Sequence, residues 1–139
     1  MAKTITQKVV FKNTTPQQLY ELYMNAKKHT TVTGWPTKIS NKEGTKFDSG
    51  NKFITGKNLQ LVKNKLIAQT WRGADWNKDD LDSVFLLTFE QKGKDAILNM
   101  VHANIPDKHA ANIKKGWDTY YWNRWKLHLA GKPLPKASM

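Results

Sequence analysis

The sequence predicts an α+β domain: a curved antiparallel sheet of about six or seven strands closed around one long C-terminal helix. One or two short helices follow the first strand. Three observations lead there. The stretch Lys108 to Leu129 reads as one long helix and holds Trp117, Trp122 and Trp125 together with Tyr120 and Tyr121. Between Thr37 and Ile105 the chain is a succession of short apolar runs separated by turn residues, the signature of an antiparallel meander. A meander cannot bury its apolar face alone, and the long helix is the available cover.

Taken in order, Lys3 to Lys12 is rich in β-branched residues with Ile5, Val9 and Phe11 near alternation, a first strand. Thr15 before Pro16 opens a helix, because the hydroxyl caps a free N–H and proline suits the first turn. Leu19, Leu22, Tyr23 and Ala26 then fall at helical spacing, with Tyr20 and Met24 widening the face. A second short helix over Lys27 to Thr33 ends at Gly34-Trp35-Pro36. Strands follow at Thr37 to Asn41 and Thr45 to Asp48, flanking a Lys42-Glu43-Gly44 turn. After the Asp48-to-Asn51 turn the next strand starts at Lys52, with a bulge expected at Gly56. It resumes over Asn58 to Val62. Lys63 to Lys65 turns the chain into Leu66 to Arg72. Gly73 to Asp82, with Asp75, Asp79, Asp80 and Asp82 around Trp76, reads as a mobile polar loop. Ser83 to Gln91 and Asp95 to Ile105 form a hairpin across Lys92-Gly93-Lys94. In the second of these the alternation is read as Ile97, Asn99, Val101, Ala103 and Ile105. Asp107 is the expected cap of the last helix, and Gly131 to Pro135 stops it.

One domain, 1–139, is expected from the length, with 133–139 a loosely held tail. There is no cysteine, and hence no disulfide or thiolate chemistry. No apolar run reaches signal-peptide or membrane-span length. These features read as a cytoplasmic protein with no membrane partner. The net charge is +12, from 23 Lys+Arg against 11 Asp+Glu, which points to acidic partners. Only Arg72 and Arg124 are arginine, and the lysines are scattered with no block longer than two. Bidentate phosphate and base contacts favour arginine, so nucleic-acid binding is not expected.

On a regular helical wheel centred on Trp117, Ile113, Tyr120 and Leu127 fall to one side and Tyr121, Trp122, Trp125 and Leu129 to the other. The apolar arc is roughly 220° wide, against about 100° for an ordinary surface helix. Such a helix has to be embraced. Arg124 and His128 interrupt the arc near its centre, within about 20° of Trp117. Either they hang into solvent past the sheet, or one supplies a polar handle to an apolar pocket. The chemistry is sparse. Four serines lie outside any nucleophile elbow. His29, His102, His109 and His128 form no short metal-ligand pair. No catalytic constellation and no cofactor or metal site is identified.

Gly50-Asn51 leading to Gly56, Leu61-Val62, Trp71-Arg72 with Trp76, Thr88-Phe89, and Gly116-Trp117 with Tyr120-Tyr121-Trp122 together carry a resemblance. The chain resembles the C-terminal domain of the activator of the heat-shock protein 90 (Hsp90) ATPase, within the START-like (SRPBCC) helix-grip superfamily. The resemblance implies the α+β helix-grip fold with a cavity between sheet and helix. It also implies docking to the N-terminal region of Hsp90. The activators' N-terminal domain, which grips the chaperone's middle segment, is not expected here, since the chain starts at the first strand of the later domain. Arg124 stands where relatives commonly carry a small residue or proline. Two functions follow as expectations. One is a non-enzymatic, co-chaperone-like interaction module with Hsp90 as partner. The other is a carrier or sensor of an apolar small molecule, with Trp71, Phe85, Leu87, His102, Trp117, Tyr121 and Arg124 lining its cavity.

Overall fold

The computed structural model describes residues 2–136. Its elements are β1 (Lys3–Phe11), α1 (Pro16–Met24), α2 (Ala26–Thr33), β2 (Thr37–Lys38), β3 (Lys46–Ser49), β4 (Ile54–Val62), β5 (Leu66–Gly73), β6 (Ser83–Lys92) and β7 (Asp95–Ile105). The C-terminal helix comprises α3 (Asp107–Gly116), a π-helical segment (Trp117–Trp122) and α4 (Asn123–Leu129). The strands form one antiparallel sheet in the order β1-β7-β6-β5-β4-β3-β2. Its inner face holds Phe11, Ile67, Phe85, Leu87, Leu98 and Met100 against Trp117, Trp122 and Trp125 of the helix. The expected α+β helix-grip architecture is present, with seven strands and both short helices. No helix among the described residues is long and apolar enough to cross a membrane.

Local chemistry explains the element ends. Thr15 caps α1 and accepts from the Gln18 N–H, while the Gln18 side chain accepts from the Thr15 N–H, a reciprocal capping box. Asn25 caps α2 with its side-chain oxygen accepting from the Lys28 N–H, and Gly34 ends it in the left-handed region at φ 78°. α3 starts differently from the expectation. Pro106 is its N-cap, and Asp107 is the first helical residue, 3.8 Å from Lys3 Nζ.

β2 is shorter than the expected Thr37-to-Asn41 strand, and two strands depart from the sequence reading in register or facing. The register shift in β4 lies between Asn58 and Gln60, two residues beyond Gly56. Gly56 is instead a point of close approach: a Cβ there would stand 2.0 Å from the Thr70 carbonyl oxygen and 2.5 Å from the Phe47 ring. In β7 the inward residues are Ala96, Leu98, Met100 and His102, and Val101 faces out, half exposed. Asn104, at φ 63°, bulges the strand where its pairing with β1 shifts, and this returns Ile105 to the core. Counting back from Ile105 by twos therefore selects the wrong face.

The helix also departs from a regular wheel. The Trp117 N–H bonds to the Ile113 carbonyl four residues back, whereas the Asn123 N–H bonds to Asp118 five residues back. The π segment takes in one extra residue. Everything after it is turned back by about 100° relative to an α-helix. Trp125, not Arg124, thereby occupies the centre of the inward face and is wholly buried.

Arg124 swings to the flank. Its Nε donates to the Val32 carbonyl at 2.6 Å and an Nη donates to the Pro135 carbonyl at 2.7 Å. It does not hang in solvent; it ties the end of α2 to the segment after the helix. His128 is exposed. Of the segment read as a loose tail, Leu134 packs on the core and Pro135 is held by Arg124. Residues 137–139 lie outside the described residues.

Candidate functional site

At the α3 end of the grip the rings of Trp35, Phe53, Trp71, Trp76, Trp117 and Tyr120 surround a cleft of about 160 Å3. They come from five places in the chain, Trp117 and Tyr120 sharing the π segment. Trp35 follows the Gly34 helix stop and lies 5.0 Å from Tyr120, ring centre to ring centre. Gly50, at φ 67°, admits it, since a Cβ there would meet the Trp35 ring at 2.9 Å. Trp71 projects inward from β5 and lies 5.8 Å from Trp76. Trp76 stacks on His109 of α3 at 5.8 Å, with an interplanar angle of 18°.

The loop that carries Trp76 is pinned, not mobile as the sequence suggested. Two Arg72 nitrogens donate to the carbonyls of Asp80 and Asn77, each at 2.6 Å, and Asp82 lies 3.3 Å away. Asn77 and Asp80 bond one another across the turn. Trp76 is consequently buried.

Trp71, Trp117 and Tyr121, three of the residues expected to line a cavity, do meet at this cleft. Phe85 and Leu87 are fully buried on the inner face of β6 as core. Arg124 is the α2 clamp already described. His102 lies behind Trp117 in a closed chain of hydrogen bonds. The Trp117 indole N–H donates to His102 Nδ1 at 3.1 Å. The proton of His102 therefore sits on Nε2, which donates to Ser83 Oγ at 2.8 Å, and Ser83 donates to the Trp71 carbonyl at 2.6 Å. Burial pushes the His102 pKa down to about 3, so the imidazole is neutral near pH 7.

A second closed set joins α1, α2 and the helix. His29 Nδ1–H donates to the Tyr23 carbonyl at 2.7 Å, and the Tyr121 hydroxyl donates to Nε2 at 2.8 Å. Burial lowers His29 to about 4 and raises Tyr121. The Tyr23 hydroxyl donates to Gln69, whose amide donates to Asn58, whose amide donates to the Ser40 carbonyl. Gln69 and Asn58 are wholly buried, a hydrogen-bonded polar pair inside the fold. Nothing in strand periodicity distinguishes such a pair from exposed positions. The Trp35 wall has a legible signal, a tryptophan between two chain breakers, as does Gly116, a glycine inside a helical run.

Buried polar atoms with no protein partner among the described residues include Trp35 Nε1 and His109 Nε2, both on residues that line the cleft. No group of three or more His, Asp or Glu among the described residues is placed to hold a metal ion.

Comparison with known proteins agrees with this architecture. Among solved structures, an Hsp90 activator from Plasmodium falciparum superposes with a TM-score of 0.79 at 24% identity, covering 97% of this chain and 99% of that one. CalU16 from Micromonospora echinospora superposes with a TM-score of 0.79 at 16% identity, over 97% of this chain and 79% of that chain. At such identities these likenesses describe the fold alone. In sequence, the activator of 90 kDa heat shock protein ATPase homolog of Dictyostelium discoideum is 30% identical over 125 residues, 89% of this chain and 32% of that protein. Homolog 1 of Mus musculus is 28% identical over 123 residues, 86% of this chain and 36% of that protein. The chain spans about a third of the length of these curated relatives. The family model "Activator of Hsp90 ATPase homolog 1-like protein" matches residues 10–129. By that match, which takes in every element from the end of β1 to the last residue of α4, the chain belongs to the Activator of Hsp90 ATPase homolog 1-like family.

Proposed function

We propose that the chain is a non-catalytic, co-chaperone-like interaction module that docks on Hsp90 in the cytoplasm. The observation that carries the reading is the family match across 10–129. Three features support it. The titratable groups inside the grip, His29, His102, Tyr23 and Tyr121, are each committed to other groups of the fold. The net charge of +12 favours steering to an acidic partner surface. The absence of cysteine suits a reducing compartment.

The test is titration of purified Hsp90 with this chain, following binding and ATP hydrolysis at low and near-physiological ionic strength. Binding that weakens several-fold with salt is expected. No binding and no change in hydrolysis at low salt would sink the proposal. A carrier role has support from the aromatic cleft. Its volume of about 160 Å3 falls below the roughly 300–1,000 Å3 of drug-sized ligand sites, so lipids and polyketides are poor candidates for its cargo.

A further inference from the structure

We propose that the aromatic cleft binds a small phenol-class molecule, one aromatic ring carrying a hydroxyl. The proposal concerns a ligand site and does not depend on docking to Hsp90.

Size sets the class. The cleft holds about 160 Å3, and an apolar cavity of roughly 150 Å3 accommodates benzene. One ring fits, and an acyl chain or fused polyketide does not. The walls are ring faces and edges from Trp35, Phe53, Trp71, Trp76, Trp117 and Tyr120, surfaces that favour another aromatic ring in tilted or offset contact.

Gly116 supplies an independent observation. Glycine is among the least favourable residues inside a helix. Here its φ is −62°, an ordinary helical value. A Cβ would meet the Tyr120 ring at 3.6 Å, ordinary contact. Neither backbone nor packing requires glycine at this position. Its effect is to keep the helix wall of the cleft open.

The hydroxyl follows from the unpartnered atoms. Trp35 Nε1 is a donor without an acceptor, and His109 Nε2 has no partner either. His109 Nδ1 faces Asp75 Oδ2 at 3.9 Å. With the proton on Nδ1, Nε2 is left as an acceptor. A hydroxyl both donates and accepts. A small rotation of either ring toward a bound phenol gives the orphaned atom a partner, and a plain hydrocarbon ring offers none.

The experiment titrates the whole chain with p-cresol, toluene and palmitate, reading tryptophan fluorescence and amide shifts. Saturable p-cresol binding with a Kd of about 0.1–1 mM is expected for so small a ligand. Toluene should bind about five- to tenfold more weakly, the value of one net hydrogen bond, and palmitate should not compete. Gly116→Leu, which fills the cleft from the helix, should abolish binding with the melting temperature held or raised. Trp35→Phe combined with His109→Phe should keep ring binding and erase the preference for p-cresol over toluene. Absence of a saturable response, equal binding of the two rings by the unaltered protein, or wild-type p-cresol affinity in Gly116→Leu would each overturn the proposal.

Discussion

Replacing His102 by glutamine converts the buried hydrogen-bond chain into a pH measurement. The imidazole titrates at about 3 in the fold against 6.5 for the free side chain, with burial as the cause. The folded value lies below the unfolded one. The unfolded chain therefore takes up the proton first, and stability is full above pH 6.5 and falls as the pH drops toward 3. At pH 4.5, two units below the unfolded value, one such group costs about 3 kcal/mol, at roughly 1.4 kcal/mol per unit. His29, lowered to about 4, adds a similar amount. Roughly 5 kcal/mol is then lost between pH 8 and 4.5, comparable with the whole stability of a marginal domain.

Glu21 and Asp95 are held below their ordinary values of 4.5 and 3.8, Glu21 chiefly by its bond to Lys28 and Asp95 by the Asn13 N–H. Their contributions are lost only as the pH falls through and below those values, so the window from 6.5 to 4.5 belongs to the histidines. Glutamine can still accept from Trp117 and donate to Ser83. His102→Gln should cost about 1 kcal/mol at pH 8 and lose about 3 kcal/mol less than the wild type on acidification. Urea denaturation at pH 8, 6.5, 5.5 and 4.5 reads both numbers. A wild type whose stability is flat across this window, or a variant with the full wild-type slope, would refute the reasoning.

Two further outcomes are expected. Gly56→Ala forces a Cβ to within 2.0 Å of the Thr70 carbonyl oxygen and 2.5 Å of Phe47; a loss of about 3 kcal/mol or more should appear in thermal unfolding, and an unchanged melting temperature would show that β4 can shift away. Arg72→Ala removes the bonds to Asn77 and Asp80; limited proteolysis should open the 74–82 loop well before the rest of the chain, at a global cost of about 1–2 kcal/mol, and a loop as resistant as the wild type's would contradict the pinning.

Much of this fold was legible because it rests on local chemistry. The Thr15-Pro16 start, the Gly34 stop and the tight turns announce themselves in short windows. The remainder hangs on events that shift register. One left-handed residue, Asn104, reverses which side of β7 is inward before it, so Val101 passes for core and Met100 does not. One extra residue in the C-terminal helix moves Arg124 from the supposed centre of the apolar arc to a clamp on α2. The buried Tyr23–Gln69–Asn58 set was illegible for another reason: its members are far apart in sequence, and amide side chains read as surface until a partner is seen. Among the residues that border the cleft, Trp71, Trp117 and Tyr121 were expected from their aromatic weight. Trp35 and His109 were not, because they come from a loop and from the outer start of a helix.

The π segment also governs how this chain can be compared with others. A helix that is α-helical throughout presents the same inward face with one residue fewer. Set against such a helix without a gap across 117–122, this chain pairs Arg124 with the partner of Trp125, and every later position is one step out of phase. Roles transferred by position should be transferred up to Gly116 and restarted after Trp122 with the offset applied.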